Sequence, residues 1–331
     1  NQTSVRILDR MKRMKRSSAV ALLFLALVPT LACEQDAEPP RCEARSAAWQ
    51  QGSPAFVERT AERGLSGVEG QRLSAVDLDN DGDADLLRRR GGAGVNDPNA
   101  EPSARTAWLL ENRGGTFVDI SAASGLFAAR GSAVGRPGDV YAFGDVDNDG
   151  DLDVFAGVDT TSDAAAGETS EIFLNRMVES GTLRFEMIDG DVRRAGLPDL
   201  PSSAVFVDVD RDGNLDLFVP EHNDADFNFI GDRLYRGDGA GRFTDDTETR
   251  WLTAQPWRDL DDLNGGLAHT RSWSGAACDL NGDGDAELLV GSYGRSPNHL
   301  WQSITVAGER RFENVSVASG FAYDNDLSWN D

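Results

Sequence analysis

The hydrophobic positions of this chain fall in short runs rather than in long amphipathic stretches. Four times, an apolar run of three or four residues leads into a cluster of acidic residues, and a second apolar run follows directly. Runs at residues 140–143 and 204–207 precede such clusters, and runs at residues 154–156 and 217–219 follow them. Apolar runs of this length, bounded by Gly and Asp, are typical of buried strands. The pattern predicts pairs of strands, each joined by an acidic loop.

The four acidic loops share one spacing of oxygen-bearing side chains. Side chains at loop positions 1, 3, 5 and 9 can converge on a single hard cation, and position 7 can offer its backbone carbonyl. A glycine at position 6 allows the positive φ that the sharp turn needs. We therefore predict calcium sites, about four per chain, with these ligand-loop residues: Asp77, Asp79, Asp81, Asp83 and Asp85; Asp145, Asp147, Asp149, Asp151 and Asp153; Asp208, Asp210, Asp212, Asn214 and Asp216; Asp279, Asn281, Asp283, Asp285 and Glu287.

The main alternative for such a loop is the EF-hand, which shares positions 1, 3, 5 and the glycine. An EF-hand also needs an acidic residue at position 12 and a helix on either side. Position 12 is Arg88, Ala156, Val219 or Val290, and the flanks are short apolar runs. The flanking sequence thus favours strands over the helices of an EF-hand. Because position 7 contributes a carbonyl, we expect its side chain to matter less than that of position 5.

A second motif recurs in step with the acidic loops. Phenylalanines begin short runs of strand-forming residues, and most of these runs are followed by Gly-Leu or Gly-Phe; they are Phe56, Phe117, Phe185, Phe243 and Phe312. Glycine-containing hairpins precede the later ones, as at residues 109–117 and 234–243. Each repeat is thus expected to hold four strands: an opening Phe strand, two strands around the acidic loop, and one leading into the hairpin. Recurring four-stranded units predict an all-β fold, a β-propeller.

These loops and the Phe143-Gly144 pair resemble those of FG-GAP and VCBS-type repeat proteins, a group that includes the integrin α-subunit propellers. The resemblance spans residues 55–331, with repeats at about 55–116, 117–184, 185–242 and 243–311 and part of a fifth at 312–331. It implies a propeller of four-stranded blades with calcium-binding loops. Family propellers usually have seven blades, so we expect this chain to be a fragment of one. Glu287 departs from the usual Asp.

The N-terminal region has the pattern of a bacterial export signal. Basic residues 12–16 precede an apolar run at 19–28, and residues 1–32 are predicted as a signal segment with an upstream extension. Two kinds of cleavage after Ala32 remain open: a lipoprotein cut that leaves Cys33 acylated, or an ordinary signal-peptide cut. Without lipidation, a disulfide between Cys33 and Cys42 is plausible. Residues 33–54 are polar and predict a tether. Cys278 is expected to be a small buried residue.

Composition narrows the possible functions. The 331-residue chain carries a formal net charge of −24, which argues against nucleic-acid binding because phosphates need clustered Lys and Arg. We expect an exported protein, either an outer-membrane or cell-surface lipoprotein or a secreted or periplasmic one. Its membrane contact would be through Cys33 alone. The expected function is non-enzymatic binding of an extracellular protein or glycan, and the alternative is part of a polysaccharide lyase or hydrolase.

One long stretch between the Phe243 strand and the fourth acidic loop leaves two interpretations open. It runs from Trp251 to Trp273 and includes Trp257 and His269. The stretch could form an aromatic ligand-binding loop, or its tryptophans could pack between blades. No catalytic residues are predicted anywhere in the chain.

Overall fold

The computed structural model describes residues 51–52, 54, 56–90, 99–101, 104–130, 135–138, 140–161, 167–193, 198–222, 230–256, 268–269, 271–292 and 296–322. The chain divides into two compact units, Asn1–Val57 and Glu58–Asp331. All strands described below belong to the second unit. The signal segment, Cys33 and Cys42 lie outside the described residues, as does Trp257.

Four antiparallel four-stranded sheets make up the second unit, and within each sheet the strands pair in chain order. The first sheet contains β1 (Arg72–Val76), β2 (Asp85–Arg89), β3 (Ala107–Asn112) and β4 (Phe117–Asp119). The second contains β5 (Val140–Gly144), β6 (Asp153–Gly157), β7 (Glu171–Asn175) and β8 (Phe185–Ile188). The third contains β9 (Val205–Val207), β10 (Asp216–Val219), β11 (Arg233–Gly237) and β12 (Phe243–Asp245). The fourth contains β15 (Ser272–Cys278), β16 (Glu287–Ser292), β17 (His299–Val306) and β18 (Glu309–Asn314).

The remaining elements are short. Strands β13 (Gln255–Pro256) and β14 (Ala268–His269) form a two-stranded parallel pair. Single helical turns lie at α1 (Met177–Ser180) and α2 (Ser316–Ser319). No helix among the described residues is long and apolar enough to cross a membrane. The architecture is therefore all-β, with sheets that form the blades of a β-propeller.

The predicted strands around the acidic loops are confirmed, but the predicted strand order within a blade is wrong. The Phe strands close the sheets instead of opening them: Phe117 pairs with Asn112, and Phe312 pairs with Ser303. The strand at Phe312 therefore completes the fourth sheet rather than beginning a fifth. Phe56 is in no strand, and its side chain is 92% exposed.

Three hydrophobic clusters lie between successive sheets, because both faces of an inner sheet are apolar. Between the first two sheets, Leu87 packs with Val154 and Phe173. Phe155 points to the other face of the second sheet, where it packs with Leu217 of the third. Between the third and fourth sheets the cluster includes Phe218, Leu234, Leu288 and Trp301. This alternation confirms that both faces of the central blades are buried against neighbours.

The Gly-Leu motifs lie beside backbone hydrogen bonds donated by the Phe strands, and at Gly125 this contact joins the first blade to the second. The backbone N–H of Phe185 donates to the carbonyl of Ser124, 2.7 Å away, and the N–H of Phe117 donates to the carbonyl of Arg63. The glycine that follows has a positive φ, and a Cβ on Gly125 would lie 2.5 Å from the carbonyl oxygen of Phe185. Glycine is required there because both the conformation and the close approach exclude a side chain.

Candidate metal centre

The first three acidic loops each bring three carboxylates together. In each loop the residues at positions 1, 3 and 9 offer oxygens that all lie within 4.8 Å of one another; the groups are Asp77, Asp79 and Asp85; Asp145, Asp147 and Asp153; Asp208, Asp210 and Asp216. Calcium–oxygen distances are about 2.3–2.6 Å, so oxygens this far apart can contact one ion from opposite sides. Each of these three loops could therefore bind a metal ion.

The carboxylate at position 1 holds the shape of the loop. In the second loop, Asp145 accepts the backbone N–H of Asp149 at 3.1 Å through Oδ1 and that of Gly150 at 3.1 Å through Oδ2. Gly150 has a φ of 99°, which turns the chain back toward the second strand. In the other three loops, too, position 1 accepts the N–H of the position 6 glycine. Hydrogen bonds from backbone amides to position 1 thus hold the loop in a tight turn, which in the first three loops brings the carboxylates of positions 1, 3 and 9 close together.

The position 9 aspartate joins the loop to the sheet. Both oxygens of Asp153 are hydrogen-bonded: Oδ2 accepts the N–H of Val146, and Oδ1 accepts the N–H of Asn175 at the end of β7, each at 2.8 Å. Asp85 and Asp216 make the same pair of contacts in their own blades. All three side chains are buried. Position 9 is therefore both a candidate ligand and a structural acceptor.

Positions 5 and 7 are arranged differently from the three-carboxylate groups. The position 5 carboxylates accept the N–H of position 7, as Asp81 does from Asp83 at 2.8 Å, and they lie outside the groups just described. The position 7 side chain is exposed in the first loop, at Asp83, but is buried at Asp151 and Asp285. The position 7 side chain is therefore not simply a solvent-exposed one in the second and fourth loops, and its predicted smaller effect on stability, compared with position 5, stays a prediction.

Burial raises the pKa of several of these carboxylates in the absence of an ion. The pKa of Asp85 and that of Asp147 are raised to about 6. The pKa values of Asp153 and Asp216 are raised to about 7. Desolvation is the main cause in every case, and repulsion from neighbouring aspartates raises the pKa values further. These carboxylates are thus poorly neutralised by the protein itself.

Unpartnered oxygens show that the residues fit a hard cation. Among the described residues, Oδ1 of Asp147 and Oδ2 of Asp149 are buried and have no hydrogen-bond partner. A buried carboxylate oxygen without a donor is costly, and carboxylates are the ligands that calcium prefers. Calcium bound here would neutralise these side chains, with Asp145, Asp147, Asp153 and the neighbouring loop oxygens holding it.

The fourth loop has a weaker donor set. Its position 3 residue, Asn281, donates from Nδ2 to Oε1 of Glu287 at 3.2 Å, while Oε2 of Glu287 accepts the N–H of Leu280. The loop contributes no group of three carboxylates among the described residues. Asp285 is instead ion-paired with Arg211, at 2.6 Å, and with Arg310. Protein cations thus already neutralise part of this loop.

Position 4 links each loop to the next, which the sequence analysis did not foresee. This position has a positive φ in every loop: Asn80, Asn148 and Arg211 are the non-glycine cases, and Gly282 is the fourth. Nδ2 of Asn80 donates to the carbonyl of Gly150, and Nδ2 of Asn148 donates to Asn214. The preference of Asn for left-handed conformations was a usable signal. The four loops therefore form one continuous row.

Arginines near position 3 were also missed. Arg250 forms a 2.6 Å ion pair with Asp210, and Nη1 of Arg176 lies 4.0 Å from Asp147. Both arginines follow a strand of the same blade, and nothing in the spacing of the acidic loops indicates them. They reduce the excess negative charge next to two of the candidate sites.

Family models match two regions, which carry the second, third and fourth acidic loops. The model described as FG-GAP-like repeat matches residues 145–219, and the model described as FG-GAP repeat matches residues 272–307. The chain carries FG-GAP repeats. No match was found among curated proteins. FG-GAP repeats indicate a propeller-like binding module and are typical of extracellular proteins.

The blades also frame a cleft of about 650 Å³ away from the acidic loops. The cleft lies near the beginnings of the first strands of the four sheets. The acidic loops follow the ends of those same strands. Its walls include Arg72, Arg89, Tyr141, His222 and Trp273. The guanidinium of Arg89 lies 5.0 Å from the centre of the Tyr141 ring, and the rings of His222 and Trp273 are 5.7 Å apart.

Cys278 of the fourth blade differs from expectation, and two exposed tryptophans bear on the interpretations left open above. Cys278 is exposed rather than buried, because β15 presents this edge to solvent. Trp273 is 55% exposed and Trp251 is 49% exposed, so neither is buried between blades. Of the two interpretations of the long stretch, Trp273 favours the aromatic surface. The side chain of His269 is outside the described part of the molecule.

Proposed function

We propose that this chain is a calcium-binding β-propeller that acts as an exported or surface-anchored, non-enzymatic binding module. The observation that carries the proposal is the repeated loop geometry, in which three loops hold three carboxylates within 4.8 Å of one another. The role of calcium is structural, because each candidate ligand at position 9 also joins the loop to its own sheet. Extracellular modules bind calcium at about 10⁻⁴–10⁻³ M, which suits this role.

The partner is an extracellular protein or glycan, and the cleft favours a glycan that carries acidic groups. Trp273, which is 55% exposed, provides a flat apolar face on which a sugar ring can stack. Arg72 and Arg89 provide positive charge in a chain whose net charge is −24. Arginine is suited to planar recognition of carboxylates. Export would place this cleft and the calcium loops in the same extracellular environment.

Calcium removal tests the structural part of the proposal. Elemental analysis of protein dialysed against calcium chloride well above the Kd of such extracellular sites, after subtraction of the free calcium, should find about four calcium ions per chain in the loops. EDTA should lower the melting temperature. An unchanged melting curve in EDTA would contradict structural calcium. Magnesium at the same concentration is the control, because it demands a stricter octahedral geometry than these loops offer.

A binding assay tests the proposed partner. Polygalacturonate, an acidic polysaccharide, should quench the fluorescence of the calcium-loaded protein, and Trp273→Ala should weaken binding about tenfold. Trp251→Ala is the matched control, since this exposed tryptophan is not among the residues that line the cleft. Equal affinities for the two variants would exclude the cleft as the glycan site. Appearance of cleaved products would favour the lyase alternative.

A further inference from the structure

A second group of three carboxylates lies beside the second acidic loop. Asp149, Asp151 and Glu179 offer oxygens that are all within 4.8 Å of one another. This group is separate from Asp145, Asp147 and Asp153 of the same loop. Two of its members belong to the loop, and the third comes from outside it.

The helical turn α1 brings Glu179 to the loop. Directly after β7, the N–H of Val178 donates to Oδ2 of Asp151 at 2.9 Å, which fixes the turn against loop position 7. The next residue is Glu179, whose Oε1 accepts from Nη1 of Arg176 at 2.8 Å. Arg176 also pairs with Glu186 at 2.9 Å, so its charge is shared between two glutamates.

Two members of this group, Asp149 and Asp151, carry buried oxygens that accept no hydrogen bond from any described residue. The Asp151 side chain is fully buried, and its Oδ1 has no hydrogen-bond partner among the described residues. Oδ2 of Asp149 is likewise buried and unpartnered within the described part of the chain. Two unsatisfied carboxylate oxygens next to a third carboxylate are unfavourable unless a cation lies between them.

Comparison of position 7 in the four loops shows that the second loop lacks a positive charge beside this buried carboxylate, among the described ion pairs. In the fourth loop, the buried Asp285 is neutralised by Arg211 and Arg310. In the first loop Asp83 is exposed, and in the third loop Asn214 carries no charge. Asp151 is therefore the one buried charge at this position with no arginine paired to it among the described ion pairs.

We propose that Asp149, Asp151 and Glu179 bind an additional calcium ion, so that the second loop holds two ions, one at Asp145, Asp147 and Asp153 and one at this second group. All three ligands are carboxylates, which hard divalent cations prefer, and the irregular arrangement suits calcium better than magnesium. The site rests on the proposed calcium function because it shares Asp149 with the loop. It goes beyond that function because Glu179 lies outside the repeated nine-residue motif.

Glu179→Gln and Glu186→Gln test the additional site as a matched pair. Each change removes one of the two glutamates that pair with Arg176, but only Glu179 belongs to the carboxylate group. The full chain would be stripped of metal, and the number of calcium ions bound at saturation would be measured by equilibrium dialysis over a range of calcium chloride concentrations. Glu179→Gln should bind one calcium fewer than the wild type, and Glu186→Gln should bind the wild-type number.

The outcomes separate the additional site from the loop sites. Calcium binding with the same number of ions in all three proteins would overturn the additional site and leave the loop sites intact. No calcium binding by the wild type would overturn both. The isosteric Asp151→Asn provides a second measurement: it should also lose one ion, while its melting temperature in EDTA should not fall, because the amide oxygen can still accept from Val178. An unchanged ion count in this variant would equally contradict the site.

Discussion

At the scale of single residues, the position 9 aspartates have two roles that a ligand pattern alone does not reveal. The spacing of the acidic loops predicts Asp153 as a metal ligand, and the structure adds two backbone hydrogen bonds that it accepts. These bonds join the loop, the following strand and the third strand of the blade. The side chain should therefore contribute to stability even when no calcium is bound.

Asp153→Ala should lower the free energy of unfolding by at least about 2 kcal/mol in EDTA, because two buried N–H groups lose their acceptor. Urea denaturation at neutral pH measures the change. Asp83→Ala is the control, since this exposed side chain at position 7 should change the stability by less than about 0.5 kcal/mol. If Asp153→Ala were destabilising only in the presence of calcium, the hydrogen bonds would not have the structural role assigned to them.

The same residue scale shows where prediction from sequence ended. The acidic positions and the glycine turns follow from spacing, because ligand geometry constrains them locally. The arginines that pair with Asp285 and Asp210 could not be predicted, since Arg310 and Arg250 come from distant parts of the chain. Asp151 contacts α1 through the backbone N–H of Val178. No local pattern in the sequence predicts this helical turn, so the burial of Asp151 could not be predicted either.

At the scale of elements, the sequence predicts the strands that flank each acidic loop. It does not show where one blade ends and the next begins, and the Phe strand is the last strand of a blade rather than the first. Repeats in a sequence can be divided at any point, and the Phe strand was assigned to the repeat that follows it. The hairpin at residues 109–117 already contained the correct signal, because a short glycine turn joins two strands of one sheet. Asn112 and Phe117 are paired across that hairpin.

Gly125→Ala should destabilise the contact between blades. The residue has a φ of 79°, and the new Cβ would lie 2.5 Å from the Phe185 carbonyl oxygen, which would push apart the Ser124–Phe185 hydrogen bond. Gly181→Ala is a matched control with a φ of 66° and no atom within 4 Å of the new Cβ. Both changes incur the cost of a left-handed alanine, about 1–2 kcal/mol. Gly125→Ala should lose about 1–3 kcal/mol more, and equal losses in thermal or urea unfolding would contradict the contact.

The row of linked loops gives a second prediction at this scale. Arg211 reaches from the third loop to Asp285 of the fourth, where it acts as a protein-supplied cation. Arg211→Gly keeps the positive φ of position 4 and removes this charge. The calcium affinity of the fourth loop should rise about fivefold, corresponding to about 1 kcal/mol. Asn148→Gly is the control, because it alters the same position without changing the charge. Calcium titrations at low salt measure both, and equal affinities would exclude the electrostatic role of Arg211.

At the scale of the whole molecule, the charge of the loops opposes the packing of the blades. The hydrophobic clusters between sheets hold the propeller together, and each fully buried Phe or Leu contributes about 1.5–3 kcal/mol. The buried carboxylates work against this packing when they are ionised, as their raised pKa values show. Bound calcium neutralises these buried negative charges, so the free energy of unfolding should depend on both pH and calcium concentration.

Without calcium, stability should decrease as pH rises from about 4 to about 7. The pKa values of Asp153 and Asp216 are raised from 3.8 to about 7, so the folded state binds more protons than the unfolded state across this window. Stability therefore falls with increasing pH. Burial would raise the pKa of Asp119, but hydrogen bonds from Arg105 and Ser121 lower it overall. The titration of Asp119 therefore affects stability only at pH values below this window.

Calcium should reverse this trend, because the ion binds the deprotonated carboxylates and its affinity rises as protons leave. Urea denaturation at about pH 5 and about pH 8, each with EDTA or with excess calcium, compares the four conditions. The EDTA series should be more stable at the lower pH, and the calcium series should be more stable at the higher pH. Calcium addition near pH 6 should also release protons, which an unbuffered titration detects. If stability in EDTA rose with pH over this interval, the buried carboxylates would not be the groups that limit the metal-free fold.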